Sequence, residues 1–287
     1  MSNQIDTARV EMFKKNIMIL SQQKGSRLAP TVRQDGDIVG KRVHFDLIGA
    51  TASQKRVSRH SDTPLINTPH SRRSAVMADY DWADLVDNAD KLKIINDPTS
   101  SYVQNAVFAF GRDKDDVIIT ALGGSAGSGE DGSTLVALPS AQKVAVGTTG
   151  LSVAKLRAAK LILDKAEVDP DTMRFIAVTA EQMDDLLGDT NVTSSDFNTV
   201  KALVSGEVDT YMGFKFVKTQ RLVKTGNNRA VYAYLETAIG LGVPQDINAR
   251  VTERDDKNYS TQVYANMSIG AVRVEDVQVV EITCKEA

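Results

Sequence analysis

The sequence predicts an α+β fold, on three observations. One long helical stripe stands alone mid-chain, with Val103, Ala106, Val107, Phe110, Val117, Ile118, Ala121 and Leu122 on one side. The second half mixes short helices and strand-like runs without a strict βαβ rhythm, which argues against a doubly wound sheet. Ahead of the stripe lies a polar, basic stretch too poor in apolar residues to form a core of its own.

Taken in order, Met1 to Lys24 reads as an amphipathic helix. Ile5, Ala8, Met12, Phe13, Ile17 and Leu20 share a face, and Gly25 follows as a stop. It docks either on its own domain or on another chain. Gly36 to Tyr80 is the basic stretch. Between Lys41 and Arg73 it carries Lys41, Arg42, Lys55, Arg56, Arg59, Arg72 and Arg73 against Asp46 and Asp62, a surplus of five positive charges. Val43, Phe45 and Leu47 alternate like a strand, and Thr63-Pro64 and Thr68-Pro69 are turn signals. A stretch this long without helical periodicity points to a projecting extension or hairpin. The sign then flips: Asp79, Asp81, Asp84, Asp87 and Asp90 follow with no Lys or Arg between them. The two runs are either complementary contact surfaces, within one chain or between chains, or solvated faces of opposite sign.

Thr99 to Leu122 is predicted as one helix of about 36 Å at about 1.5 Å per residue. Asp97-Pro98 gives it an extended lead-in, Thr99 or Ser100 a cap, and Gly123-Gly124 an end. Gly123 to Gly132 reads as a flexible loop. Leu151 to Val168 is a helix capped by Ser152, with Val153, Leu156, Ala159, Leu163 and Ala166 inward. Asp169-Pro170-Asp171 is a turn and Met173 to Val178 a buried strand. Thr179 and Gln182 form a capping box for a helix that stops at Gly188. Ser195 to Val204 reads as a helix; Tyr211 to Thr219, Ala230 to Glu236, Ile247 to Glu253 and Val277 to Thr283 read as strands. Tyr259 to Val274 fits neither pattern cleanly.

Composition narrows the function. Of 287 residues, 42% are hydrophobic and 25% charged, ordinary for a globular chain. A net charge of −3 does not suit a whole molecule that grips nucleic acid. Cys284 is the single cysteine, so no internal disulfide forms. No membrane span or signal peptide is expected.

Catalytic motifs are present but out of context. Gly123-Gly124-Ser125-Ala126-Gly127 matches G-x-S-x-G, and Val117-Ile118-Ile119 could pass for the strand such a nucleophile elbow needs. Every histidine, however, precedes Ser125, so a serine hydrolase has no base arriving later in the chain. Gly127 to Gly132 matches G-x-G-x-x-G, but Glu130 and Asp131 repel phosphate and no helix follows directly. His44, His60 and His70 sit among basic neighbours that disfavour a metal. Sequons at Asn191, Asn258 and Asn266 carry no weight without a secretory signal. No catalytic, cofactor-binding or metal residue is assigned.

The order of parts resembles the major capsid proteins of tailed double-stranded-DNA bacteriophages, the Hong Kong 97-type fold. MRFIAVTAEQMDDLLGD, MGFKFVKTQRL, ARVTERDD and GAVRVEDVQVVEI resemble successive pieces of that family. The resemblance implies an N-terminal arm over 1–35, an extended E-loop over 36–80, and a P domain beginning at 81–134 with its spine helix at 98–122. An A domain over 135–245 and a P-domain return over 246–287 complete it. It further implies self-assembly into hexamers and pentamers of an icosahedral shell around double-stranded DNA held without sequence specificity. A portal protein, a separate scaffolding protein and a decoration protein are the implied partners. The implied place is the virion, assembled in the host bacterial cytoplasm. Contacts between subunits are expected from Arg56, Arg59, Arg72 and Arg73 meeting Asp79, Asp81, Asp84 and Asp87; a competing reading puts some of these arginines on DNA or on a scaffolding protein. An encapsulin-like compartment shell is the nearest alternative, and a Ser125 hydrolase the alternative of another class.

Overall fold

The computed structural model describes residues 22–36, 38, 40–56, 58–59, 62–63, 65–86, 99–169, 171–189, 202 and 209–286. Its first strands are β1 (Arg33–Asp35), β2 (Arg42–Ile48), β3 (His70–Val76) and β4 (Ala78–Val86), followed by the helix α1 (Thr99–Gly123). Next come β5 (Ala126–Ser128), β6 (Thr134–Val136), β7 (Lys143–Val144), α2 (Val153–Lys165), β8 (Arg174–Val178) and α3 (Ala180–Gly188). The chain then runs through β9 (Thr210–Tyr211), β10 (Phe214–Lys218), β11 (Lys224–Thr225), β12 (Asn228–Leu235), β13 (Ile239–Arg254), β14 (Ser260–Arg273) and β15 (Val279–Lys285).

Three sheets result. The largest runs β7-β15-β12-β8-β10-β9, with β11 paired to β12. All five residues of β8 are buried: Phe175 to Val178 as their apolar run predicts for a central strand, and Arg174 paired with Asp164 at 2.6 Å. Leu156, Ala159 and Leu163 of α2 and Met183 and Leu186 of α3 join its core. The second sheet is β1-β13-β14-β4 and the third β2-β3-β5-β6. The last three strands therefore divide: β13 and β14 enter the second sheet, while β15 lies between β7 and β12 in the first.

The long helix forms as its stripe predicts, over 25 residues or about 37 Å. It serves two layers. Ala106 and Phe110 pack on Ala265, Met267 and Ile269 of β14. One helical stretch later, Ile118, Ile119 and Leu122 enter the core of the large sheet. Asp115, between these apolar groups, is fully buried.

Several local expectations hold. Ser152 caps α2 by accepting from the Lys155 N–H at 3.4 Å. The capping box forms, with Gln182 Oε1 accepting from the Thr179 N–H at 3.1 Å. Others are corrected. Tyr211 to Thr219 is a tight hairpin, because Met212 and Gly213 take φ of 54° and 85°, so Tyr211 folds back on Phe214. Gly123 to Gly132 is no free loop: Ala126–Ser128 is a strand paired with both β3 and β6. The acidic run, unassigned from sequence, supplies β4, an edge strand on β14. Tyr259 to Val274 resolves into β14. The predicted helix over 1–24 falls outside the described residues up to 21, and 22–24 are not helical. The predicted helix over 195–204 lies outside them except for Ala202.

Candidate functional site

The basic stretch becomes an antiparallel hairpin of β2 and β3, in register from Arg42↔Val76 to Ile48↔His70. Its alternation separates two faces. Val43, Phe45 and Ala75 turn inward onto Ala126, Val272 and Val274, forming a small core borrowed from the body. His44, Asp46 and Ile48 turn out to solvent. Farther from the base, Leu65 is 92% exposed among the described residues. The hairpin sits unusually close to the second sheet. A Cβ at Gly240 would stand 2.3 Å from Phe45 Cζ, so the ring occupies the space a side chain would need.

A relay of charges pins this base to α1. Arg273, fully buried, donates through Nη1 to the carbonyls of Leu122 and Gly124 at 3.2 and 2.6 Å, and through Nη2 to Val136 O at 3.0 Å. Leu122 O is one of the unpaired carbonyls at the helix's negative end, where a cation is favoured. The Nε of Arg273 donates to Asp276 Oδ1 at 2.6 Å. The other oxygen of Asp276 accepts from Arg73 Nη2 at 2.8 Å, and Arg73 belongs to β3. Helix end, strand β14 and hairpin are thus joined in series through Arg273 and the Asp276 carboxylate.

A second anchor holds the N-terminal segment. Asp115 Oδ1 accepts from Ser26 Oγ at 2.5 Å and from the Arg27 and Leu28 N–H groups at 3.0 Å each; Oδ2 accepts from Gln23 Nε2 at 2.5 Å. The segment crosses α1 at Gly111, where a Cβ would stand 2.5 Å from Gly25 Cα. At the other end of the chain, Glu286 accepts from Arg229, Lys224 and Gln182. Those donors, Arg229 foremost, hold its carboxyl down at about 2.

The expected contact residues scatter around this base. Arg72 pairs across the hairpin with Asp46 at 2.5 Å, with side chains 41% and 65% exposed. That hydrogen bond holds the Asp46 carboxyl below its ordinary range. Arg73 is turned inward, as described. Arg56 donates to the carbonyls of Ser58 and Arg59 in its own loop, and Arg59 is exposed. Asp79 and Asp84 are exposed on β4, and Asp81 accepts from Tyr264 Oη at 2.6 Å. That bond to a carboxylate raises the Tyr264 phenol. Asp87 lies outside the described residues. Ser125 is exposed just beyond a helix, the reverse of the strand–turn–helix order of a nucleophile elbow.

Sequence reasoning missed Asp115, Arg273 and Asp276. Asp115 stands out only as an acid on the apolar side of a helix. Arg273 stands out only as a charge within the strand-forming run GAVRVED.

The family model described as "Phage capsid protein" matches residues 5–286. Among solved structures, the capsid of Ralstonia phage GP4 superposes with a TM-score of 0.78 at 10% identity, covering 98% of this chain and 96% of that one. The capsid asymmetric unit of cyanophage Pam1 gives 0.73 at 15% identity, with 98% and 97% covered. A chain from Mycobacterium phage Che8 gives 0.71 at 16%, with 95% and 96% covered. At such identities the likeness is one of fold. No curated protein matches by sequence.

Proposed function

The chain belongs to the phage capsid protein family, and from that membership we infer that its clamped hairpin is the arm by which one shell subunit engages the next. It is a major capsid protein of the Hong Kong 97-like fold, whose work is to tile with copies of itself. One observation carries the hairpin's role: strands that leave the body with a polar outer face and bare apolar groups, yet are pinned at their root by a buried relay. Such a limb holds its direction without being covered at home.

In this reading copies close head to tail into hexamers and pentamers. Arg73 is engaged within its own chain, so outward positive charge falls to Arg56, Arg59 and Arg72. They face Asp79, Asp81, Asp84 and Asp87 of a neighbour, giving register and encounter rate more than affinity. The segments 1–35, 36–80, 81–134, 135–245 and 246–287 act as arm, loop, peripheral domain, axial domain and return. The shell encloses double-stranded DNA, held without sequence specificity. A portal protein, a separate scaffolding protein and a decoration protein complete the head, built in the host bacterial cytoplasm.

Electron microscopy of the purified full-length chain tests this. Closed shells are expected, and Arg56, Arg59 and Arg72 reversed together to glutamate lower their yield while the free chain stays folded. A chain that remains a single molecule at every concentration overturns the reading. Ser125→Ala leaves shells unchanged, whereas a hydrolase would lose its activity.

A further inference from the structure

The relay between helix and hairpin is asymmetric. Arg273 has no exposed side-chain surface, and its Nε, Nη1 and Nη2 together reach four acceptors. Among the described residues the Arg73 side chain makes a single hydrogen bond, to Asp276, and its Nη1 is buried without an acceptor. Freeing Arg273 strands three carbonyls and a carboxylate oxygen; freeing Arg73 strands one carboxylate oxygen. Asp276 lies on the 3-10 turn Asp276–Gln278 between β14 and β15, so it travels with the body. Arg73 lies on the hairpin, which is also tied to the body by the pairings Arg73↔Ser128 and Ser74↔Gly127, by the Gly129 N–H donating to Arg72 O at 3.2 Å, and by the borrowed core. The joint between Arg73 and Asp276 is therefore the weak link in an otherwise saturated chain of contacts.

We propose that Asp276, by holding Arg73, sets the pitch of the hairpin relative to α1, and that this pitch determines the angle between neighbouring subunits and hence shell curvature. The curvature half rests on the shell reading above; the pitch half does not. Asp276 and Arg73 are positioning residues that act through the hairpin rather than by touching the neighbouring copy.

The test uses the full-length chain and two variants. Arg73→Met keeps the stem and removes the guanidinium; Arg73→Lys keeps a charged donor. Expected for Arg73→Met are a thermal midpoint close to that of the parent, a loss of about tenfold in hydrogen-exchange protection confined to β2 and β3, and a broadened distribution of particle diameters. Arg73→Lys restores a narrow distribution, which a merely structural loss would not do. Unchanged protection and unchanged diameters in Arg73→Met overturn the proposal. Should Arg73→Met fail to fold, the parent decides: its β2–β3 amides are to open at lower denaturant than those of β8 and β12, and joint opening overturns the pitch claim. A parent that forms no particles sinks the shell reading and the curvature half, while exchange still decides the pitch half.

Discussion

The large sheet and the β2–β3 hairpin use the same strand geometry and are held by different forces. In the sheet, β8 is buried along its whole length and flanked by β12 and β10, whose Phe214, Val231 and Tyr234 are also closed off from water. Burial alone explains why these strands stay. In the hairpin only the root is covered, and its direction depends on one shared carboxylate, on close glycine contacts that include Gly240 and Gly270, and on a short strand pairing. Where apolar area is plentiful, single contacts matter less; where it is scarce, a few contacts set the geometry.

Phe214→Ala removes a fully buried ring and should cost about 3–5 kcal/mol of global stability by denaturant titration. A loss below about 1 kcal/mol would mean that the sheet is not closely packed.

The next effect lies between the two regions. Asp115→Ala leaves two backbone N–H groups and a serine hydroxyl without their acceptor, a loss of about 2–4 kcal/mol. Amide exchange should show the damage centred on residues 22–28. Uniform loss across the sheet would show instead that Asp115 holds up the core.

On the hairpin side, Gly240→Ala pushes a methyl into Phe45 and should cost about 1–3 kcal/mol, read mainly as lost protection in β2 and β3.

Glu286 supplies a pH handle on the sheet. Its carboxyl sits at about 2 when folded against an ordinary 4.5, so its contribution is fully present above about 4.5 and fades as pH falls toward 2. Glu286→Gln should flatten the stability profile across that window. Equal slopes in parent and variant would assign the acid sensitivity elsewhere.

The smallest effect is expected at Arg72. Its pair with Asp46 is open to water, so Arg72→Ala should leave the stability of the free chain unchanged within error. A large loss there would erase the distinction between exposed and inward-facing arginines.

Much of this was legible in the residues. The stripe from Val103 to Leu122 specifies a helix because its apolar residues recur at the helical period. The MRFIAV run specifies a buried strand, and Ser152 and Thr179 mark helix starts, because each of these signals is local. The basic and acidic runs marked the regions that face outward. What no local pattern could supply was pairing at a distance. Arg72 and Arg73 are neighbours of one charge in sequence, and the alternation of β3 sends one to solvent and the other to Asp276, over two hundred positions away. The contacts of Asp115 with residues 26–28 and of Arg273 with the end of α1 likewise exist only once separate elements are stacked. Short-range periodicity decided which elements form; long-range packing decided which charges are buried, because burial depends on what the rest of the chain lays over each position.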